Sequence, residues 1–377
     1  MGQRFGFVST YPPTQCGLAT FTASLNEALT GACADEGLIV RLLDDPGPIA
    51  AVDQGAEWLR DDHDGIALSA ERLNGCDAVI VQHEFGVYGG RDGEDILRLL
   101  AQVRVPTVVV LHTVLVEPSA HQRQVLEAVV AAADAVVTMT ATARDRLVAG
   151  YRIDIAKVRI IPHGVPVMNS TAETSRRPFG AGPLVLSWGL LGPGKGLEWG
   201  IEAMALLADL RPTARYLMAG ETHPKVLSRF GERYRDGLTE QINRLNLASS
   251  VRLDPRYRDA PALAQLVASA DVVLLPYDST DQVTSGVLIE AVAAGKPVVA
   301  TAFPHAVELL ADGAGLLVPH RDPAAIAQAL RTVLTRRDLS ASMSAKAASS
   351  TAALVWPAVA GHYRALVSQL VRERVAA

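Results

Sequence analysis

Short runs of β-branched and apolar residues alternate with longer Ala- and Leu-rich segments along almost the whole chain. That pattern predicts strand-helix-strand units with parallel sheets covered on both faces. In the first half the strand-like runs are Arg4 to Ser9, Leu38 to Leu42, Ala78 to Gln82, Thr107 to His112, Ala135 to Met139 and Arg159 to Pro162. Helical stretches lie between them, among them Thr20 to Ala32, Ile96 to Val103 and Ser119 to Ala133. A passage rich in Pro, Ser and Thr, from Pro166 to Pro183, reads as a linker.

After the linker the alternation restarts. Strands are expected at Leu184 to Trp188, Arg215 to Ala219, Ser250 to Asp254, Val272 to Pro276, Pro297 to Thr301 and Gly315 to Val318. Helices are expected at Gly196 to Ala208, Gly231 to Leu245, Ala260 to Ala268, Gly286 to Ala294, Pro323 to Leu334 and Leu339 to Ala353. Trp356-Pro357 then interrupts the chain before a last amphipathic segment to Val375. The reading is an α/β protein of two doubly wound halves enclosing a cleft, and in such sheets ligands bind beyond the carboxyl ends of the strands.

Composition narrows the function classes. Of 377 residues, 49% are hydrophobic and 20% charged, which supplies sizeable cores and excludes a mainly disordered chain. A net charge of −5 with no long basic run argues against nucleic acid as a partner, so an anionic ligand must be held locally. Cys16, Cys33 and Cys76 are an odd number without metal-ligand spacing, which suits small buried thiols in a reducing, cytoplasmic setting. The start of the chain does not read as a signal peptide, and the apolar stretch from Val105 to Val116 falls short of the ~18 residues a membrane helix needs. Peripheral membrane contact through Arg229, Arg233 and Arg235 is the most that is expected, against a solvated helix face.

Three loops suit a phosphate. Gly189 to Gly196, with Lys195, joins a strand to a helix, so glycine backbone, helix N-terminus and one ammonium converge. It matches seven positions of the P-loop pattern, but Gly196 stands where an NTPase needs a hydroxyl for magnesium. Its glycine spacing also fails the dinucleotide fingerprint. The second loop runs from Tyr11 to Thr20, where the Gly17 amide can approach an oxyanion. The third, Asp278 to Gly286, enters a helix that Thr284 or Ser285 can cap, with Glu290 about one turn in. A further loop, His83-Glu84-Phe85-Gly86 with Tyr88, follows a strand of the first half; it lacks a second nearby ligand for a metal pair.

At these residues the sequence resembles the nucleotide-sugar-dependent glycosyltransferases of family four, retaining enzymes of GT-B architecture with two Rossmann-like domains. The resemblance rests on Ser285 to Thr301, which includes Glu290 and Gly295-Lys296-Pro297, supported by Lys195-Gly196, Ile161-Pro162-His163-Gly164-Val165, the Gly17 loop and His112. It implies an acceptor-side domain over 1–170, a nucleotide-sugar domain over 171–355, and a helix over 356–377 that returns to the first domain.

For single residues the resemblance implies Glu290 on the donor ribose, Lys195 with Gly196 on the diphosphate and Gly17 on the distal phosphate. It puts His112 and the amides after Gln282, those of Thr284, Ser285, Gly286 and Val287, near the donor and its sugar. His83, Glu84 and Tyr88 are candidate acceptor contacts. Two positions depart from the family pattern: Gln282 stands for the first glutamate of the motif, and Leu190 for an arginine beside the phosphate lysine. His223, Lys225, Arg256 or Arg258 are candidates to replace that charge.

The activity implied is transfer of a hexose, mannose or glucose, from a GDP or UDP carrier to a hydroxyl acceptor, small molecule or glycan, without metal or other cofactor. Gln282 cannot act as a nucleophile, which favours a front-face route, and Asp278 is the remaining base candidate. The alternative is a nucleotide-binding or scaffold protein on a GT-B frame that has lost catalysis.

Overall fold

The computed structural model describes residues 2–31, 34–44, 55–60, 62–167, 179–180 and 182–376. Cys33 and most of the expected linker, 168–178 and 181, lie outside the described residues. The chain divides into two compact units, Met1–Pro166 with Val355–Ala377, and Val167–Leu354.

The first unit carries a seven-stranded sheet of order β3-β2-β1-β4-β5-β6-β7. Its strands are β1 (Arg4–Ser9), β2 (Glu36–Leu43), β3 (Ala56–Leu59), β4 (Ala78–His83), β5 (Thr107–Leu111), β6 (Ala135–Thr138) and β7 (Val158–Ile160). All pairings are parallel. β4 is buried along its whole length and β1 along all but its first residue, as expected of strands covered on both faces. Alternate residues Phe5, Phe7, Ala78, Ile80, Val108 and Val110 pack under the helix Gly17–Thr30 and under Trp356, Val359 and Tyr363 of the last helix, Trp356–Ala376.

That last helix is fastened at its start. Val165 and Val355 form a parallel bridge, and Trp356 N–H donates to Val165 O at 2.9 Å. Phe21 meets the rings of His112, His163 and Trp356 edge-on, at 5.0, 5.0 and 5.1 Å between centroids.

The second unit carries a six-stranded sheet of order β10-β9-β8-β11-β12-β13. Its strands are β8 (Leu184–Trp188), β9 (Arg215–Ala219), β10 (Val251–Asp254), β11 (Val272–Leu275), β12 (Val298–Thr301) and β13 (Gly315–Val318), again all parallel. In both sheets the order reverses direction beside a central strand, β1 or β8, which is where a doubly wound sheet opens a crevice at its carboxyl end.

Several helix boundaries differ from the sequence reading. The helix expected from Gly231 begins at Arg233, because Gly231, at φ +62°, instead closes a short helix, Pro224–Phe230, that the pattern did not announce. Helices Ile96–Leu100 and Leu197–Ala205 are shorter than expected, while strand β3 and helices His63–Leu73, Ala141–Gly150 and Pro304–Leu309 are additional. Among the described residues no helix is long and apolar enough to cross a membrane.

Candidate active site

In the second unit the loops after β8, β9 and β11 are held together by backbone contacts that only glycine allows. A Cβ on Gly196 would lie 1.8 Å from Pro276 O, and one on Gly220 2.0 Å from Gly189 O. Both glycines have positive φ, +61° and +142°. Leu191 N–H donates to Glu221 O, and His223 N–H to Leu191 O, both at 2.8 Å. The glycine loop is thereby zipped to the segment that ends in His223.

Two helix starts open onto this end of the sheet. Helix Leu197–Ala205 begins after Gly196, with no side chain capping it. Helix Gly286–Ala293 is capped by Ser285, whose Oγ accepts from Leu288 N–H at 3.3 Å; of the two capping candidates, the structure uses Ser285. The amides of Gly286 and Val287 have no partner within their helix and have the positive end of its dipole behind them, while at the other start the Leu197 N–H is turned to the Tyr234 hydroxyl. Ser285 N–H donates to Nδ1 of the buried His305 at 2.8 Å, and His305 N–H to Gln282 O at 3.3 Å. His305 therefore braces the third loop, a role with no signal in the local sequence.

Lys195 is half-buried with Nζ 4.5 Å from the centre of the Tyr277 ring, which stacks on Phe303 at 5.0 Å. Tyr277 O accepts from Thr301 Oγ1 at 2.7 Å and lies 2.8 Å from Nδ1 of His320. Glu290 is half-buried on the second turn of its helix and accepts from Trp188 Nε1 at 3.0 Å. Burial raises its carboxyl above the ordinary value, while the indole N–H acts in the opposite direction.

Gln282 donates from Nε2 to Thr284 O at 3.0 Å, so its amide spans its own loop. Asp278 Oδ1 accepts from Trp199 Nε1 at 2.8 Å and from Arg321 Nε at 3.3 Å, which commits that oxygen to two fixed partners. His223 caps helix Pro224–Phe230 by accepting Lys225 N–H on Nδ1 at 3.2 Å. With Nδ1 an acceptor, the neutral ring carries its proton on Nε2. Burial, Lys225 and Lys195 all lower the His223 pKa, so the ring sits near the phosphate-loop lysine and stays neutral.

Arg256 and Arg258 both bind Asp254, at 2.7 and 2.5 Å, and their charge is spent there. Arg235 is likewise tied down, to Gly220 O at 2.8 Å and to Glu232 at 3.3 Å, which leaves Arg229 and Arg233 as the exposed cations of that segment.

The first unit gathers histidines at the carboxyl ends of β4 and β5. His112 Nε2 lies 2.7 Å from Gln82 Oε1, and His163 Nδ1 2.7 Å from Gly164 O. Burial, with the neighbouring His163 and His83, lowers the His112 pKa to about 3; burial lowers His83 and His163 to about 4 each. All three are neutral at pH 7. Glu84 accepts from Thr113 Oγ1 at 2.7 Å.

His83 and Tyr88 are both enclosed, and the Tyr88 hydroxyl donates to Gln82 O at 2.6 Å. Of the three acceptor-side candidates, Glu84 is the one left partly exposed. Gly17 is exposed at the first position of its helix, after the cap Cys16. Among the described residues no group of three His, Cys, Asp or Glu is placed to hold a metal ion.

Comparison with known proteins places this geometry. The model of the family described as "Glycosyl transferases group 1" matches residues 182–336, and that of "Glycosyltransferase Family 4" matches residues 63–168. A D-inositol 3-phosphate glycosyltransferase of Streptomyces avermitilis is 32% identical over 242 residues, 62% of this chain and 51% of the relative. Another of the same name, from Kineococcus radiotolerans, is 31% identical over 274 residues, 66% of this chain and 60% of the relative. The chain thus spans 51% to 60% of the length of these curated relatives.

Among solved structures, Anabaena HepE in complex with UDP and glucose superposes with a TM-score of 0.74 at 18% identity, over 97% of this chain and 100% of HepE. Sucrose-phosphate synthase from Thermosynechococcus elongatus gives 0.77 at 19% identity, over 98% and 100%. The fold is GT-B, and each half of the chain matches a glycosyltransferase family model, that of family four in the first half and that of group 1 in the second.

Proposed function

We propose that the chain is a retaining hexosyltransferase that takes glucose or mannose from a nucleoside-diphosphate sugar, UDP-linked or GDP-linked, and places it on a hydroxyl acceptor. The observation that carries the reading is the gathering, at one end of the second sheet, of the Glu290 carboxylate, the start of helix Gly286–Ala293 and Lys195. A carboxylate accepts from paired ribose hydroxyls, and amides with one ammonium neutralise a diphosphate. HepE was solved with UDP and glucose, which supports a uridine carrier. The name shared by the relatives, D-inositol 3-phosphate glycosyltransferase, makes a phosphorylated cyclitol the first acceptor to assay.

The chemistry follows from charge. As the bond from the anomeric carbon to the diphosphate oxygen breaks, its electron pair stays on the leaving oxygen, where Lys195 and the amides of Gly286 and Val287 stabilise it. The acceptor oxygen forms its bond on the same face, and its proton passes to the departing phosphate, so configuration is retained. Positive charge supplied by amides and an ammonium makes a metal ion unnecessary in this scheme. Gln282 orders its loop rather than forming a covalent intermediate. On the first unit, a Cβ at Gly17 would meet no atom within 4 Å, so the space the glycine spares lies outside the protein, which supports approach of a phosphate to that amide.

The test replaces Glu290 by Ala. Nucleoside-diphosphate affinity, read by calorimetry, and sugar transfer, read by product analysis, should fall together. Native-like binding and transfer by that variant would overturn the assignment.

A further inference from the structure

Trp188 is the last residue of β8, and its indole sits almost wholly inside the second unit. A buried indole N–H is costly to leave without an acceptor, and here the acceptor is one oxygen of a carboxylate 102 residues away in sequence. The two elements are already in contact at this point: a Cβ on Gly189, the next residue, would lie 3.5 Å from Cγ2 of Val287 in the first turn of the Glu290 helix. Trp188 is thus fixed by its strand, the helix start is fixed against that strand, and the hydrogen bond removes the remaining rotational freedom of the Glu290 side chain. Oε2 is taken by the indole; among the described residues Oε1 carries no hydrogen bond.

We propose that Trp188 is a positioning residue that orients Glu290 for the ribose hydroxyls of the nucleotide. The inference rests on the reading of Glu290 as the ribose-binding group and deepens it. A glutamate on a helix has three freely turning bonds, and holding it in one rotamer before the ligand arrives removes an entropic cost of binding. The indole also supplies a donor that keeps one carboxylate oxygen occupied when burial disfavours its charge. Nothing in this scheme lets Trp188 touch the ligand; it acts through Glu290 alone.

The test compares native protein, Trp188→Phe and Glu290→Ala in calorimetric titrations with UDP and GDP and with the 2′,3′-dideoxy analogue of each. Phenylalanine keeps an aromatic ring in the core and removes only the donor and part of the ring. For whichever diphosphate binds, Trp188→Phe should weaken the parent nucleotide by about fivefold to tenfold, the cost of ordering one freed side chain on binding. The dideoxy analogue should bind this variant as it binds the native protein. A defect of folding or packing would weaken both nucleotides alike, and that outcome overturns the proposal. Equal affinity of native and Trp188→Phe for the parent also overturns it, while leaving Glu290 as the ribose ligand if Glu290→Ala no longer distinguishes the parent nucleotide from its dideoxy analogue. If the native protein binds parent and dideoxy nucleotides equally, the ribose reading falls and the positioning role falls with it.

Discussion

Gly164 lies flat against the indole of Trp356: a Cβ at that glycine would sit 2.2 Å from Cε3 of the ring. The backbone of the His163-Gly164-Val165 segment and the first residue of the last helix are therefore in direct contact, pinned further by the Trp356 N–H bond to Val165 O. Gly164→Ala should force the ring or the segment to move and lower stability by ~1–3 kcal/mol, as overpacking does. Gly361, exposed on the same helix with nothing within 4 Å of its Cβ position, is the contrasting site. Gly361→Ala should raise stability by about 0.5–1 kcal/mol through helix propensity alone. Chemical denaturation of the two variants checks both signs, and a stable Gly164→Ala protein would contradict the packing argument.

Much of this arrangement can be read from local pattern, and the reasons for success and failure differ by element. Strands Arg4–Ser9, Leu184–Trp188, Arg215–Ala219 and Gly315–Val318 fall where runs of apolar residues stop abruptly at polar or glycine positions. Strand Ala56–Leu59 is missed because it is four residues long at the sheet edge, with Glu57 and Leu59 only half-buried, so no apolar run marks it. The helix Pro224–Phe230 buries none of its residues and so leaves no amphipathic trace. In the site, the glycines, Lys195 and Glu290 announce themselves by chemistry and spacing. Trp188, Tyr277 and His305 do not, because their partners come from other strands and loops, and no local spacing encodes a contact made across the sheet.

The buried histidines of the first unit set an acid limit on its stability. His83, His112 and His163 have folded pKa values of about 4, 3 and 4, below the ~6.5 of an unfolded histidine. Between those values the unfolded chain binds more protons than the folded one. Stability is therefore complete above about pH 6.5 and declines as pH falls toward about 4. Glu290, whose folded pKa is raised, carries the opposite sign and offsets part of the loss. Thermal unfolding should show a midpoint that drops steadily from pH 7 to pH 5, and His112→Gln should flatten that slope. A midpoint independent of pH over this range would contradict the burial of the three rings as neutral groups.

Arg60 donates from Nη2 to the carbonyls of Gly86 and Val87, at 2.9 and 3.2 Å, and so ties the loop after β4 to the end of β3. Arg60→Ala should leave the core intact, because Tyr88 still anchors the far side of the loop through Gln82 O. The expected stability cost is ~1–2 kcal/mol, from one charged donor shared by two carbonyls and by the Asp44 carboxylate, 2.7 Å away. Hydrogen exchange should accelerate at Val87 to Gly90 and stay unchanged in β5. If the loop is the acceptor platform, the acceptor KM rises while the donor KM does not.

The departure at Leu190 gives the sharpest test of the diphosphate site. His223 is held by a cap bond through Nδ1, which leaves Nε2–H as a neutral donor near Lys195, and Arg256 and Arg258 are spent on Asp254. That leaves His223 and the exposed Lys225 as candidates to replace the missing arginine, and His223 is the one to remove first. His223→Asn separates its two roles, since asparagine caps a helix as well as histidine does here but has no donor at the Nε2 position. The variant should keep its thermal midpoint and lose about tenfold to hundredfold in diphosphate affinity, the effect of one hydrogen bond to a charged phosphate. Adding Leu190→Arg should restore that affinity and make it more sensitive to salt, because a mobile charge then does what a fixed neutral donor did. If His223→Asn binds nucleoside diphosphate like the native protein, His223 does not replace the missing arginine, and Lys225 is the candidate left.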